Sequence, residues 1–153
     1  MKKLGMLFVC LTILTGISAQ NPQNEKIPLE AKSGFAAKFP GAQKIKWSIE
    51  KRGAYEVDFT INKIEQSALV DAKGNLIETE IEIKVSVLPQ AVRASVEKDF
   101  ASYKLDEITK ATDAKGVVTY EMEAVMGKEK WTLEFDQNGK LLLKEPLKKG
   151  AEK

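Results

Sequence analysis

The sequence contains no histidine, and its single cysteine is Cys10. Without histidine the chain lacks the commonest general base and the commonest metal ligand; with one cysteine it cannot close an internal disulfide. His-based triads, thiolate nucleophiles beyond Cys10 and ordinary zinc sites fall away together. A net charge of one sign is also missing. The chain has 24 basic and 22 acidic residues, and setting aside Lys2 and Lys3 leaves the two balanced at 22 each. Nucleic-acid binding needs a concentrated basic surface, and the basic cluster present, Lys144, Lys148, Lys149 and Lys153, lies in a terminal stretch that we take as a solubilising tail.

Long apolar runs are limited to one, from Leu4 to Ile17. It follows Lys2 and Lys3, closes on Ser18 and Ala19, and is shorter than the ~20 residues a spanning helix needs. Residues 1–19 therefore form a secretory signal peptide, with Ile17 at the third position before the cut leaving the exact cleavage point open by a residue or two. Cys10 lies inside the run after Val9, where a lipoprotein signal would carry a small residue, which argues against lipidation. The mature chain is expected to be periplasmic or secreted, with no membrane insertion after signal removal and a core held by packing alone.

Residues 20–26 have no apolar period and form a flexible leader. Ile27 and Pro28 then open a helix carrying Ala31, Phe35 and Phe39 on one side, closed by Pro40 and Gly41. The period changes to two: Ile45, Trp47 and Ile49 define one strand, Lys51, Arg52 and Gly53 a reversal, and Tyr55, Val57, Phe59 and Ile61 a second strand. Asn62 and Lys63 mark the next turn, Ala68 and Val70 a third strand, and Asp71 to Asn75 a Gly-bearing turn. From Ile77 to Val87 every odd position is β-branched, while Glu78, Glu80, Glu82, Lys84 and Ser86 occupy the even ones. At ~3.3 Å per residue such a strand runs about 36 Å, so it is expected to bend, bulge or outreach a neighbour.

The order then recurs. Pro28 and Phe39 match Pro89 and Phe100 at an offset of 61, whereas Tyr55, Asp71 and Gly74 match Tyr120, Asp136 and Gly139 at 65. The chain is thus predicted to be α+β, a tandem repeat of one helix plus about four antiparallel strands, with the helices covering one face of the sheet. Repeat 1 covers 27–87 and repeat 2 covers 88–144, together forming one domain, followed by a basic tail at 145–153.

Phe39 and Pro40 at the helix end, Trp47, the Tyr55, Val57, Phe59 strand, the Asp71 to Gly74 turn, Leu88 and Pro89, Tyr103 to Leu105, and Phe135, Asp136, Gly139, Lys140 and Leu141 resemble, in combination, the PepSY-like family of exported bacterial proteins. The resemblance spans nearly all of the chain after the signal. It implies a fold similar to a beta-lactamase inhibitor protein, in which helix-plus-four-strand repeats build a long sheet whose open face binds a partner. No catalytic residues come with it.

Candidate chemistry is sparse. Ser95 and Lys98 form a Ser-x-x-Lys pair, but the Ser-Asp-Asn and Lys-Thr-Gly companions of a serine beta-lactamase are absent, and solvated helix residues explain the pair better. Ser48 and Lys51 are weaker still. Asp71 to Asn75, Asp113 to Gly116 and Asp136 to Gly139 lack the acidic spacing of a calcium loop, and hairpin turns using Gly account for all three. Trp47 and Trp131 fall on the apolar parity of their strands and belong to the core. No metal and no cofactor is implied.

The opposite parity holds the remaining candidates. Glu56, Asp58, Glu78, Glu80, Glu82, Glu121, Glu123 and Glu134 would share the uncovered sheet face, with Lys44, Lys46, Lys84 and Lys130 interleaved to relieve repulsion. An ordinary solvated surface explains such a face as well as a binding site does. The sharper expectation is a non-enzymatic, inhibitor-like binding module presenting this acidic face to an unidentified protein or peptide, as a monomer or homodimer. The alternative is a small-ligand carrier with a pocket between the repeats; an unfamiliar carboxylate enzyme is more remote.

Overall fold

A computed structural model describes residues 26–50 and 53–147. The signal peptide, the leader up to residue 25, Lys51 and Arg52 of the first strand reversal, and the tail from residue 148 lie outside the described residues. Two helices start immediately after a proline. Helix α1 (Leu29–Lys38) follows Pro28 and buries Ala31 and Phe35; helix α2 (Gln90–Asp99) follows Pro89 and buries Val92 and Val96. The fixed φ of proline is already helical, and the apolar residues recur every four positions, so each helix buries one narrow stripe. Among the described residues no helix is long and apolar enough to cross a membrane.

Eight strands account for just over half of the described residues. Strands β1 (Gln43–Ile49), β2 (Ala54–Ile61), β3 (Ile64–Asp71) and β4 (Leu76–Glu82) follow α1, and β5 (Lys104–Asp113), β6 (Val118–Met126), β7 (Glu129–Asp136) and β8 (Leu141–Pro146) follow α2. They form one antiparallel sheet in which every strand pairs with its neighbours in sequence, from β1 to β8.

This corrects the predicted α+β tandem repeat of one helix plus about four strands. β4 pairs with β5 from Glu78 opposite Asp113 to Glu82 opposite Thr109, so the hydrogen-bonded ladder runs on without a break. The architecture is one eight-stranded, mostly β sheet with two short helices, not a pair of helix-plus-four-strand units. Two separate sheets would have left the amides of β4 and β5 unpaired, and pairing them satisfies both rows. The sequence offsets marked where helices and turns recur; they carried no information on what Glu78 to Glu82 would bond to.

The long strand predicted from Ile77 to Val87 is also cut short. A register shift opposite Leu69 and Val70 leaves Ile77 as the extra residue of a bulge, and β4 ends at Glu82. Val85 to Val87 form a 3-10 turn leading into α2. The alternation of that segment persists through the turn although the pairing does not.

The core lies between the helices and one face of the sheet. Ile27, Ala31 and Phe35 pack on Trp47, Val57, Phe59, Ala68 and Val70. The Phe35 ring meets Trp47 and Phe59 edge-on, at centroid distances of 5.5 and 5.0 Å. A second cluster gathers Leu88, Val92, Val96 and Phe100 on Ile108, Tyr120, Met122, Ala124, Leu133 and Phe135. Each helix is drawn down at a glycine turn: Gly74 (φ 85°) sits beneath Glu30 and Gly34 of α1, and Gly139 (φ 80°) beneath Ala91 and Ser95 of α2.

Candidate functional site

Strand parity decides which acids are left outside the core. On β2, Val57 and Phe59 face the helices, so Glu56 and Asp58 stand on the opposite face; on β6, buried Tyr120, Met122 and Ala124 put Glu121 and Glu123 there. Glu134 alternates with buried Leu133 and Phe135 on β7, and Glu78, Glu80 and Glu82 continue the same face on β4 through their partners Leu69, Ser67 and Thr109. All eight acids named from the sequence thus stand on the face away from the helices.

The register arranges them in rows. One row runs Ser48, Glu56, Leu69, Glu78, Asp113, and the next Lys46, Asp58, Ser67, Glu80, Ala111. Glu121 lies directly opposite Glu134. The interleaving expected of lysines occurs only at the margins: Lys46 opposes Asp58 and Lys130 opposes Val125, while Lys84 lies beyond β4 and Lys44 sits at the β1 bulge with φ 53°.

Crowding shows in the acidities. Burial, then Glu78, Glu121 and Glu56, push Glu80 up to about 8. Burial, then Glu134, Glu78, Glu145 and Glu123, push Glu121 up to about 7. Glu56 also rises to about 7, through burial, Asp58 and Glu50, against a Ser48 hydroxyl donated at 3.2 Å. Burial raises Asp58 as well, opposed by Lys46. Glu56, Glu78, Glu80, Glu121 and Glu134 therefore form one mutually repelling group. Glu123 is raised by burial and by Glu107, and is eased by Lys130; Glu82 is exposed at the strand end.

One residue of the face escaped the sequence. Ser67 is 1% exposed, and its Oγ has no hydrogen-bond partner among the described residues; the same holds for Oδ1 of its cross-strand neighbour Asp58. A serine on the solvent-facing parity of a strand carries no signal by itself. Its position could still have been reached, because Asn62 and Lys63, both with positive φ, make a two-residue hairpin that fixes Ile61 opposite Ile64 and hence Asp58 opposite Ser67.

The other candidates settle into structural roles. Ser95, the would-be nucleophile, is half-buried and donates its hydroxyl to the Gly139 carbonyl at 2.7 Å, so it fastens α2 to a turn rather than lying solvated. Asp71, Asp113 and Asp136 each accept two backbone N–H groups of their own turns through Oδ1. Trp47 is buried in one core cluster and Trp131 packs against the other. Lys144, assigned to the basic tail cluster from sequence, belongs to β8, its ammonium 4.5 Å from the Trp131 ring centre.

Residues 53–143 match the model of a family described as beta-lactamase-inhibitor-like, PepSY-like. A comparison with curated proteins finds no match. Among solved structures the chain is similar to a BLIP-like protein from Bacteroides fragilis, at 23% identity and a TM-score of 0.69 over 82% of this chain and 91% of that one. It is similar to a protein described as periplasmic from Bacteroides eggerthii, at 16% identity and a TM-score of 0.74 over 78% and 88%. A DUF2874 family protein from Bacteroides ovatus gives 19% identity and a TM-score of 0.72 over 78% and 87%. At these identities the likeness is one of fold.

Proposed function

The chain belongs to the beta-lactamase-inhibitor-like, PepSY-like family, and on that premise we propose that it is an exported, non-catalytic binding module whose open acidic face receives a basic protein or peptide. The observation that carries the reading is segregation of charge. A chain whose charges nearly balance gathers Glu56, Glu78, Glu80, Glu121 and Glu134 into one repelling group on a sheet face that neither helix covers. Such crowding costs stability, and a partner of opposite charge relieves the cost on binding while steering its own approach. The signal-like leader and a fold shared with a protein described as periplasmic support a place in the cell envelope. The carrier alternative gains nothing from the seam between the two core clusters, where Thr79, Ile81, Lys110 and Thr112 mix polar with apolar groups on the helix side.

The test is charge reversal. A variant with Glu78→Lys, Glu80→Lys and Glu82→Lys, verified as folded by circular dichroism, should lose the basic envelope proteins or peptides that the native chain captures, with affinity for a given basic peptide falling at least about tenfold. Native binding should weaken as salt rises. An unchanged affinity in the reversed variant would remove the acidic face from consideration.

A further inference from the structure

The row through the middle of the face points to a more specific ligand. Ser67 holds a buried hydroxyl with no hydrogen-bond partner among the described residues, and it is flanked across the ladder by Asp58, whose Oδ1 is buried and equally unpartnered, and by Glu80. Buried polar atoms are ordinarily paired, and leaving two neighbours unpaired costs stability that a bound group with several donors would recover. We propose that Asp58, Ser67 and Glu80 form the seat of a single guanidinium, the side chain of an arginine in the partner; this rests on the reading of the open face as a binding surface.

The chemistry favours arginine over lysine. Asp58 and Glu80 stand two strands apart, about 9–10 Å between their backbones, with Ser67 midway. A planar guanidinium carries N–H donors on two edges and can reach a carboxyl oxygen on each side while another N–H points to Oγ of Ser67; an ammonium is a compact charge that reaches one side well. Guanidinium is also the more weakly hydrated cation and suits a seat closed to water, and half-buried Leu69 and buried Ala111 supply apolar surface beside it for the methylene stem. Because the two unpartnered atoms are shielded from solvent, the arms of the surrounding glutamates must part as the guanidinium enters.

The experiment compares acetylated, amidated tetra-arginine, tetra-lysine and tetra-citrulline peptides by isothermal titration with the native chain, Ser67→Ala and Glu80→Gln. Tetra-arginine should bind about tenfold more tightly than tetra-lysine, and tetra-citrulline should not bind. Ser67→Ala should lower affinity for tetra-arginine about fivefold while leaving the thermal midpoint unchanged or higher, since it removes an unsatisfied buried hydroxyl; a purely structural serine would move stability down and leave affinity alone. Equal binding of the arginine and lysine peptides, untouched by Ser67→Ala, would overturn the guanidinium seat while leaving the acidic face a binding surface. Failure of both cationic peptides to bind the native chain would overturn the seat and the surface together.

Discussion

Glu80 is the residue on which the face turns, because burial and three neighbouring carboxylates all oppose its ionisation. A carboxyl whose pKa is higher in the fold than in the open chain holds its proton more tightly when folded. Its contribution to stability is fully present below the ordinary value of 4.5 and is lost as pH rises through the folded value, about 7 for Glu56 and Glu121 and about 8 for Glu80. The thermal midpoint should therefore fall between about pH 4.5 and 8, and Glu80→Gln should remove about two-fifths of that fall, since its rise above 4.5 is the largest of the three. Scanning calorimetry across the range checks both, and a midpoint independent of pH would contradict the crowding. Asp71 and Asp106, lowered by their own hydrogen bonds, act below 3.8 and do not enter this window. The acids were legible because strand parity assigns a side without reference to neighbours. The unpaired hydroxyl of Ser67 was not, since it depends on two cross-strand registers at once, and the relieving lysines were misplaced because Lys44 and Lys84 fall at irregular backbone that parity cannot follow.

At the scale of elements, glycines at superficially similar turns do different work. Gly74, Gly116 and Gly139 all have φ near 80°, yet a methyl at Gly116 meets open space, whereas one at Gly74 or Gly139 runs into a backbone carbonyl of the helix above. Gly116→Ala should cost the left-handed backbone penalty alone, about 1–2 kcal/mol, and Gly74→Ala and Gly139→Ala distinctly more. Gly34 sharpens the contrast. Alanine inside a helix ordinarily gains about 1 kcal/mol over glycine, but here the methyl would collide with the Gly74 backbone, so Gly34→Ala should destabilise. Urea denaturation of the four variants measures the order. The prolines and the four-residue spacing announced both helices correctly, whereas Ile77 to Val87 looked like one strand because alternation survives a bulge and a 3-10 turn that the sequence does not advertise.

For the whole molecule, the β4 to β5 ladder joins two apolar clusters into one hydrogen-bonded body. Unfolding should be a single cooperative transition. Trp47 reports on one cluster and Trp131 on the other, so the variants Trp47→Phe and Trp131→Phe, followed by fluorescence in urea, should give midpoints that coincide once the effect of each substitution on stability is allowed for. Two separated transitions within the native chain would mean that the clusters melt independently. This continuity was the part of the fold least legible in the sequence, since recurrence at offsets of 61 and 65 emphasises likeness between halves and is blind to pairing between them. The simple strand order also bears on how the molecule can be assembled. A polypeptide that emerges end first can zip each hairpin onto the one before, never waiting for a distant segment, and such local wiring favours rapid folding without a scaffold. Throughout that growth the newest strand is an open template for a stray chain, and once all eight strands are paired the edge left on that flank is Leu141–Pro146, the last to arrive.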